Sequence, residues 1–270
     1  TLLIFTTKGK VFTLKVYEIP ETGKQARGKL INNLIKLSED EKVSTIIKVR
    51  DHDEDRRELF FITKEGVVKK TEARLFFSIN RNGIRALTLK GEDELTYVGL
   101  TSGNSKDEIF MATRAGFAIR FSEEDVRSMG RSAAGVKGIT LRDNDYVVSA
   151  AIINPEASLD KLSVLTITEE GYGKRTFLKE YKVQTRGGKG IINLKVNDKT
   201  GKIVDVKIVD DKTEIMLITS EGTLIRTKVD SVSVIGRATS GVRIMKVRNE
   251  EKVASTVKIT EETDMDKKPE

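Results

Sequence analysis

The chain contains no cysteine and no tryptophan, and it has one histidine and three prolines among its 270 residues. Without cysteine it can form no disulfide, no thiolate metal site and no thiol nucleophile. The single histidine, His52, lies in an acidic run that we interpret as a charged loop. No Ser-His-Asp or His-x-x-x-His arrangement can be built around it. The sequence therefore disfavours nucleophilic or zinc-dependent catalysis by this chain.

Long apolar runs and nucleotide-binding motifs are also missing. The longest run of apolar and small residues, Val147–Ile153, is far too short to span a bilayer. The segment Arg186–Gly190 fails the P-loop pattern because glycine follows its lysine, and Gly171–Gly173 lacks the third glycine of a dinucleotide fingerprint. We expect no membrane association and no cofactor or metal in this chain, and the lack of cysteine fits a cytoplasmic protein.

What the chain does contain is a fivefold repeat. A strand-like apolar run ends in Thr-x-x-Gly five times, and the anchor glycines are spaced 57, 50, 55 and 51 residues apart. A basic, glycine-containing loop follows each anchor. Repeats of this period indicate stacked or radially arranged units of supersecondary structure. The anchors are Gly9, Gly66, Gly116, Gly171 and Gly222.

The second copy shows the secondary structure that we predict for each unit. Glu58–Thr63 is a strand, the following turn ends at Gly66, and Val67–Thr71 is the return strand of a hairpin. Ile84–Leu89 alternates apolar and polar residues as a third strand, and Leu95–Leu100 is the fourth. Four short antiparallel strands in about 50 residues match one blade of a propeller-like, all-β fold.

We predict one domain over residues 1–259, with repeats at about 1–49, 58–101, 107–154, 163–210 and 213–259. Residues 260–270 are polar, mostly acidic and without periodicity, so we expect a disordered tail.

Basic residues recur at matching places in the repeats. The formal net charge is only +7, from 48 basic and 41 acidic residues, so the position of the cations matters more than their sum. Four residues after the anchor glycine lie Lys70, Arg120, Arg175 and Arg226. The glycine-containing loops add Arg27, Lys29, Arg81, Arg131, Lys137, Arg186, Lys189 and Arg237, with Gly187, Gly188 and Gly190 beside them.

A set of cations repeated once per unit suits a polyanion that runs along a shared edge. Glycines let the backbone approach phosphates, whose oxygens accept hydrogen bonds from side chains and from N–H groups. No recognition helix is apparent, so we predict that duplex DNA is held by its backbone and bent, with weak sequence preference. A propeller-type scaffold for protein interactions is the alternative, and an enzyme with a central pocket is a remote third possibility.

Several motifs resemble the C-terminal domain of bacterial DNA gyrase A. Gln184–Gly190 is similar to the Q-x-R-G-G-K-G gyrase box of that family, and the resemblance extends over nearly the whole chain up to Ile259. The other matching segments are Val126–Arg131, Gly135–Ile139, Gly171–Thr176 and Gly222–Thr227.

The resemblance implies a β-pinwheel, a propeller variant in which neighbouring blades exchange strands. Its basic perimeter wraps DNA so that the enzyme can introduce negative supercoils. The domain itself neither cleaves DNA nor hydrolyses ATP; ATP and Mg²⁺ act elsewhere in the holoenzyme. The implied partners are duplex DNA, the remainder of gyrase A and the gyrase B protein, and the isolated domain is expected to be a monomer.

The chain departs from the family pattern in its number of repeats. Five full copies are visible where the family has six blades, and we expect the missing unit, with the family's defining box, before Thr1. The loop Gln25–Lys29 is a degenerate version of the box. Related domains of topoisomerase IV can have fewer blades, so a substrate-selection domain of that type is a close alternative.

Overall fold

The structure is a computed structural model, and it describes residues 1–23, 28–49, 56–77, 79, 82–154, 156, 158–248 and 251–259. Within these ranges the regular structure consists of β-strands and short 3₁₀ helices, without an α-helix. The strands are β1 (Leu2–Thr6), β2 (Lys10–Leu14), β3 (Val43–Lys48), β4 (Glu58–Thr63), β5 (Val67–Glu72), β6 (Ile84–Arg85), β7 (Leu95–Leu100), β8 (Glu108–Thr113), β9 (Phe117–Ser122), β10 (Val136–Lys137), β11 (Val147–Ile153), β12 (Ser163–Thr168), β13 (Tyr172–Phe177), β14 (Ile191–Ile192), β15 (Ile203–Val209), β16 (Glu214–Thr219), β17 (Leu224–Lys228), β18 (Val242–Arg243) and β19 (Val253–Ile259).

A 3₁₀ helix follows the second long strand of each repeat. One of them starts behind Ser122, whose Oγ accepts a hydrogen bond from the amide of Glu124 at 3.2 Å. Among the described residues no helix is long and apolar enough to cross a membrane. The 3₁₀ helices are Val16–Glu18, Ile31–Asn33, Ala73–Phe76, Glu123–Asp125, Leu159–Lys161, Leu178–Glu180 and Val229–Ser231.

The Thr-x-x-Gly motif forms the hairpin turn that connects the first two strands of each repeat. In the second repeat, Gly66 has a φ of 80°, a conformation that glycine adopts without steric cost. Its amide donates to the carbonyl of Thr63 at 3.0 Å, and the Thr63 hydroxyl accepts from the amide of Val67 at 3.1 Å. The threonine thus satisfies a backbone donor inside the turn, which explains why both residue types recur.

Strand exchange links the repeats. Each of the first four sheets combines three strands of one repeat with a two-residue strand from the next repeat, as when β10 pairs with β5 through Val136↔Val68 and Lys137↔Val67. This arrangement confirms the all-β, propeller-like fold with exchanged strands. The sheets have the strand orders β3-β1-β2-β6, β10-β5-β4-β7, β11-β8-β9-β14, β15-β12-β13-β18 and β17-β16-β19.

Two details of the predicted blade are wrong. The third strand was expected to span Ile84–Leu89 within its own blade, but it spans only Ile84–Arg85 and belongs to the preceding sheet. It stops there because the next two amides, of Ala86 and Leu87, both donate to the carbonyl of Gly9 at 2.8 and 3.1 Å. The fifth sheet has three strands rather than four within the described part of the chain.

The contacts divide the chain into two compact units. Unit 1 contains Thr1–Met111, Ile119–Pro155 and Val183–Gly190, and unit 2 contains Ala112–Ala118, Glu156–Lys182 and Ile191–Glu270. The predicted single domain over 1–259 stays a prediction, and the predicted tail, 260–270, lies outside the described residues.

Each unit has its own apolar core between sheets. In unit 1, the rings of Phe5 and Phe61 meet edge to face with centroids 5.5 Å apart, and Phe76 closes the cluster. In unit 2, Leu165 and Leu217 are fully buried in one cluster with residues of the neighbouring strands. Each core holds the hairpins of its own unit at fixed spacing.

Candidate nucleic-acid interface

The glycine-containing loops of the third, fourth and fifth repeats each dock on the segment that follows the exchanged strand of the repeat before. We call them loop 3 (residues 130–135), loop 4 (residues 184–190) and loop 5 (residues 236–241). A backbone amide of the preceding repeat donates into each loop, so the three loops have equivalent positions. The pairs are Thr88 to Ala133 at 3.3 Å, Thr140 to Gly188 at 2.8 Å and Lys195 to Thr239 at 2.9 Å.

Loop 4, the box-like segment, is the most tightly fixed of the three. The amide of Gly187, which has a φ of 81°, donates to the carbonyl of Gly138 at 2.6 Å. The Thr140 hydroxyl donates to the carbonyl of Gly187 at 2.6 Å, and Arg142 donates to the carbonyl of Lys189 at 2.9 Å. Loop 4 therefore lies against residues 137–140 of unit 1, the segment that follows loop 3 in the chain.

The loop arginines hold backbone as well as presenting charge. Arg186 donates to the carbonyls of Asp125 at 2.7 Å and Lys137 at 3.0 Å. Arg237, the equivalent residue of loop 5, donates to the carbonyl of Ile192 at 2.9 Å. Both arginines are half-buried. Through these hydrogen bonds each arginine fixes its loop to the second residue of the preceding exchanged strand, Lys137 or Ile192.

Two buried lysines also hold the loops in place. Lys69 Nζ donates to the carbonyls of Ala86 and Arg131, both at 2.5 Å, and Lys174 Nζ donates to those of Gly236 at 2.7 Å and Arg237 at 2.6 Å. Both side chains are completely buried. An ammonium group in such a site loses hydration and depends on the polar groups around it, here mainly backbone carbonyls.

Burial lowers the pKa of both buried lysines. The pKa of Lys69 falls to about 8 because the ammonium is desolvated, and the charge of Arg131 adds to the effect. Desolvation likewise lowers the pKa of Lys174 to about 8, with Arg237 opposing the charge and Glu180 favouring it. Neither lysine is among the site residues predicted from the sequence. The available signal was their position three residues after the anchor glycine, where Ile119 stands in the third repeat.

The predicted cations four residues after the anchor glycine occupy equivalent places, but they are paired with carboxylates. Lys70 lies 3.1 Å from Glu58 and 3.6 Å from Glu123, and Arg120 lies 2.5 Å from Glu108. Both cations are nearly inaccessible to solvent. Glu58 and Glu108 each open the first strand of their hairpin, so the ion pair joins the two hairpin strands.

The fourth and fifth repeats vary this pairing. Arg175, which is buried, pairs with Asp211 and donates to the carbonyl of Val232 at 2.8 Å. Arg226 pairs with Glu214 but is exposed. The sequence pattern did find a real equivalence, but it did not reveal these partners. As DNA contacts, the four residues stay predictions.

The other predicted cations that the structure describes are exposed. Lys29, Arg131, Lys137 and Lys189 project from or beside the loops into solvent. Among the described residues, no carboxylate makes an ion pair with Arg131, Lys137 or Lys189. Gly190 has a φ of 67° and, with Gly187 and Gly188, keeps loop 4 compact. Arg27 and Arg81 lie outside the described residues, as does His52.

The chain matches a known family along most of its length. The model of the DNA gyrase C-terminal domain, beta-propeller, matches residues 1–50, 57–102, 107–154, 163–210 and 213–260. DNA gyrase A of Staphylococcus epidermidis is 43% identical over 263 residues, which are 97% of this chain and 29% of that protein. DNA gyrase A of Lawsonia intracellularis is 46% identical over 246 residues, 91% of this chain and 29% of that protein.

Solved structures show the same fold. The C-terminal domain of DNA topoisomerase IV superimposes with a TM-score of 0.85 at 28% identity, covering 96% of this chain and 78% of that one. The DNA gyrase A C-terminal domain gives 0.81 at 25% identity, covering 96% and 82%. The chain spans 29% of the length of these gyrase A relatives. With the exchanged-strand blades and the box-like loop in place, the chain belongs to the DNA gyrase C-terminal domain family.

Proposed function

We propose that this domain binds, bends and wraps duplex DNA through the exposed cations of its glycine-containing loops. The observation that carries the proposal is the exposure of Arg131, Lys137 and Lys189, which have no ion-pair partners among the described residues, on loop 3, loop 4 and the segment that joins them. Cations that lack an internal partner remain available for phosphates, whereas Lys70 and Arg120 are already neutralised by carboxylates.

Rigid loops matter for such a surface because DNA resists bending. Duplex DNA has a persistence length of about 150 bp, and a bend of 40–90° over a short site costs of the order of 1–6 kcal/mol. The loops are fixed by Arg186, Arg237 and the two buried lysines, so little loop ordering has to accompany binding. The contacts made to phosphates can then offset the cost of bending.

The domain makes no base-specific contact in this proposal. Phosphate contacts fix the position of the duplex without reading its sequence, and any preference arises from how easily the sequence deforms. In the holoenzyme the wrapped segment serves DNA gyrase in introducing negative supercoils, with gyrase B and the rest of gyrase A as partners. The domain is non-catalytic, needs no cofactor, acts in the cytoplasm and is monomeric in isolation.

The test is duplex binding measured against salt. We expect the triple variant Arg131→Gln, Lys137→Gln, Lys189→Gln to bind a linear duplex more weakly. The slope of log K against log[salt] should become shallower by roughly 0.9 for each lost phosphate contact. Ligase closure of nicked circles, measured on the same proteins, reports whether DNA is bent and with which sign of writhe.

A matched control separates local contacts from net charge. Lys106→Gln, Lys161→Gln and Lys212→Gln remove the same charge from exposed lysines outside the glycine-containing loops. The proposal is wrong if this control weakens binding as much as the loop variant, or if binding by the unaltered domain does not respond to salt.

A topoisomerase IV-type role is the second candidate, and the TM-score of 0.85 to the C-terminal domain of that enzyme favours it. Both candidates use DNA binding, so the difference lies in the wrap. A gyrase-type domain traps writhe of one sign in the closure assay, whereas a substrate-selection domain that binds without wrapping leaves the topology of the circle unchanged.

A further inference from the structure

A cationic pocket in unit 2 is lined by residues other than those assigned above. Its volume is about 380 Å³, many times the ~30 Å³ that one water molecule occupies in the liquid, so it has room for a polyatomic ligand. Four cations and one carboxylate contribute to its wall. The lining residues are Glu170, Tyr172, Lys199, Arg243, Lys246, Val247 and Arg248.

Tyr172 organises two of these cations. The Arg243 guanidinium lies 5.2 Å from the centre of the Tyr172 ring and donates to its hydroxyl at 2.8 Å. Lys199 Nζ lies 5.7 Å from the same ring centre. Tyr172 is buried and its ring is covered by cations, so it offers no surface on which a nucleobase could stack.

The charge in the pocket is only partly neutralised from within, by Glu170 in the wall and by the electrostatic interaction of Glu251 with Arg248. Among the described residues, no carboxylate makes an ion pair with Lys199, Arg243, Lys246 or Arg248. The one carboxylate in the wall, Glu170, lies 3.7 Å from Lys252, which is outside the pocket wall. The pocket wall therefore keeps a net positive charge, and its four exposed cations repel one another unless a further anion binds.

The equivalent cavity of unit 1 shows that this charge is not a general consequence of the fold. That cavity, of about 420 Å³, lies at the corresponding hairpin turn, with Val67 in place of Tyr172 and Lys137 in place of Arg243. Its lysines face two carboxylates, Glu65 and Asp93, in the same wall. The repeat therefore supplies the cavity, and the sequence of the fourth and fifth repeats supplies the positive charge.

We propose that the Tyr172 pocket binds a ligand carrying two or more phosphate groups through Lys199, Arg243, Lys246 and Arg248. Arginine presents a planar fork of donors that matches phosphate oxygens, and lysine adds compact positive charges. A single carboxylate would leave most of the four cations unneutralised. The phosphates can belong to a free polyphosphate chain or to consecutive nucleotides of bound DNA. Only the second source rests on the proposed function.

The test uses inorganic tripolyphosphate as the probe, titrated calorimetrically into the domain at low salt. We expect saturable binding with one site. The double variant Lys199→Gln, Lys246→Gln should lower the affinity at least roughly tenfold, since hydrogen bonds to charged groups are among the stronger ones. Neither lysine makes a side-chain hydrogen bond within the described structure, so the fold should be unaffected. Circular dichroism melting checks this.

The control is Lys179→Gln, Lys228→Gln, which removes two exposed lysines of the same unit. Lys179 also lies over an aromatic ring, that of Phe177 at 5.3 Å, so it matches Lys199 in chemistry but not in place. Binding of tripolyphosphate that survives the pocket variant, or that falls equally in the control, would overturn the proposal. Absence of saturable binding to the unaltered domain would overturn it as well.

Competition with a linear duplex identifies the source of the phosphates. If duplex DNA displaces tripolyphosphate from the unaltered domain, the pocket holds part of the DNA backbone. If both ligands bind together, the pocket takes a free polyphosphate. Either result supports the pocket. Should the duplex fail to bind at all while tripolyphosphate binds, the proposed function fails and the pocket stands.

Discussion

Because two-residue strands are exchanged between repeats, we predict that alanine substitution destabilises the protein by different amounts at two glycines of unit 2. Gly171 and Gly222 both end a Thr-x-x-Gly turn, with φ of 75° and 83°. A Cβ placed on Gly171 would lie 2.3 Å from the carbonyl oxygen of Met245, whereas one placed on Gly222 meets nothing within 4 Å. Alanine at either position suffers the same backbone strain, but only at Gly171 does it collide with the exchanged strand's continuation.

The expected cost follows from these contacts. A left-handed conformation costs a non-glycine residue about 1–2 kcal/mol, which is the full expected loss for Gly222→Ala. In Gly171→Ala the carbonyl of Met245 must move by about 1 Å to reach an ordinary contact distance. The carbonyl of Gly171 accepts from the amides of Ile244 at 2.9 Å and Met245 at 3.0 Å. Loss of two such bonds adds roughly 1–3 kcal/mol.

Urea unfolding followed by circular dichroism measures the two losses. Hydrogen exchange locates them: the amides of Ile244 and Met245 should lose protection in Gly171→Ala and keep it in Gly222→Ala. Equal destabilisation by the two variants, or unchanged protection in Gly171→Ala, would refute the idea that the anchor glycine is required by the exchanged strand.

Two further predictions concern buried charge. In the folded wild type, Lys69 and Lys174 have pKa values of about 8, whereas the pKa of a lysine in the unfolded chain is about 10.5. Between these two pH values the unfolded state therefore binds more protons than the folded state. The free energy of unfolding consequently rises with pH in this range. The test compares the free energy of unfolding of the wild type with that of the double variant Lys69→Met, Lys174→Met. We expect the difference, wild type minus variant, to increase by about 1 kcal/mol per lysine from pH 8 to 9. A difference that stays constant with pH would contradict this. Glu108→Gln removes the partner of a buried arginine and should cost about 3 kcal/mol in urea unfolding. Glu214→Gln, whose arginine partner is 63% exposed, should cost under about 1 kcal/mol; equal losses would show that burial does not set the cost.

The hairpins were predictable because their signals are local. Glu58–Thr63 and Leu95–Leu100 are strands with the predicted bounds, since a run of β-branched and aromatic residues between turn signals has few other conformations. The glycine of Thr-x-x-Gly marked the turn for a stated reason, its positive φ. Periodicity could not show that Ile84–Arg85 leaves its own blade. This segment pairs with β2 in the hairpin of the preceding repeat, and such pairing is determined by tertiary structure rather than by local sequence.

The candidate site was less predictable because the sequence does not show which carboxylates pair with its cations. Spacing from the anchor glycine located Lys70 and Arg120 at equivalent places. Whether such a cation faces solvent or a carboxylate depends on the opposite strand, where Glu58 and Glu108 happen to be its cross-strand neighbours. The composition and spacing of the sequence therefore cannot distinguish a cation in a structural ion pair from a cation that binds phosphate. The neighbouring strand has to be known first.

The buried lysines sharpen this point. Lys69 and Lys70 are adjacent in sequence and point to opposite faces of β5, as successive strand residues must. Lys70 reaches carboxylates, while Lys69 donates to the backbone carbonyl of Ala86 in its own repeat and to that of Arg131 in the loop of the next repeat. On one face of β5, Lys70 thus links the two strands of its own hairpin. On the other face, Lys69 fixes the loop of the next repeat, from which Arg131 projects. Under the proposed function, a cation can contribute to DNA binding without contacting DNA, because it holds the backbone from which an exposed cation projects.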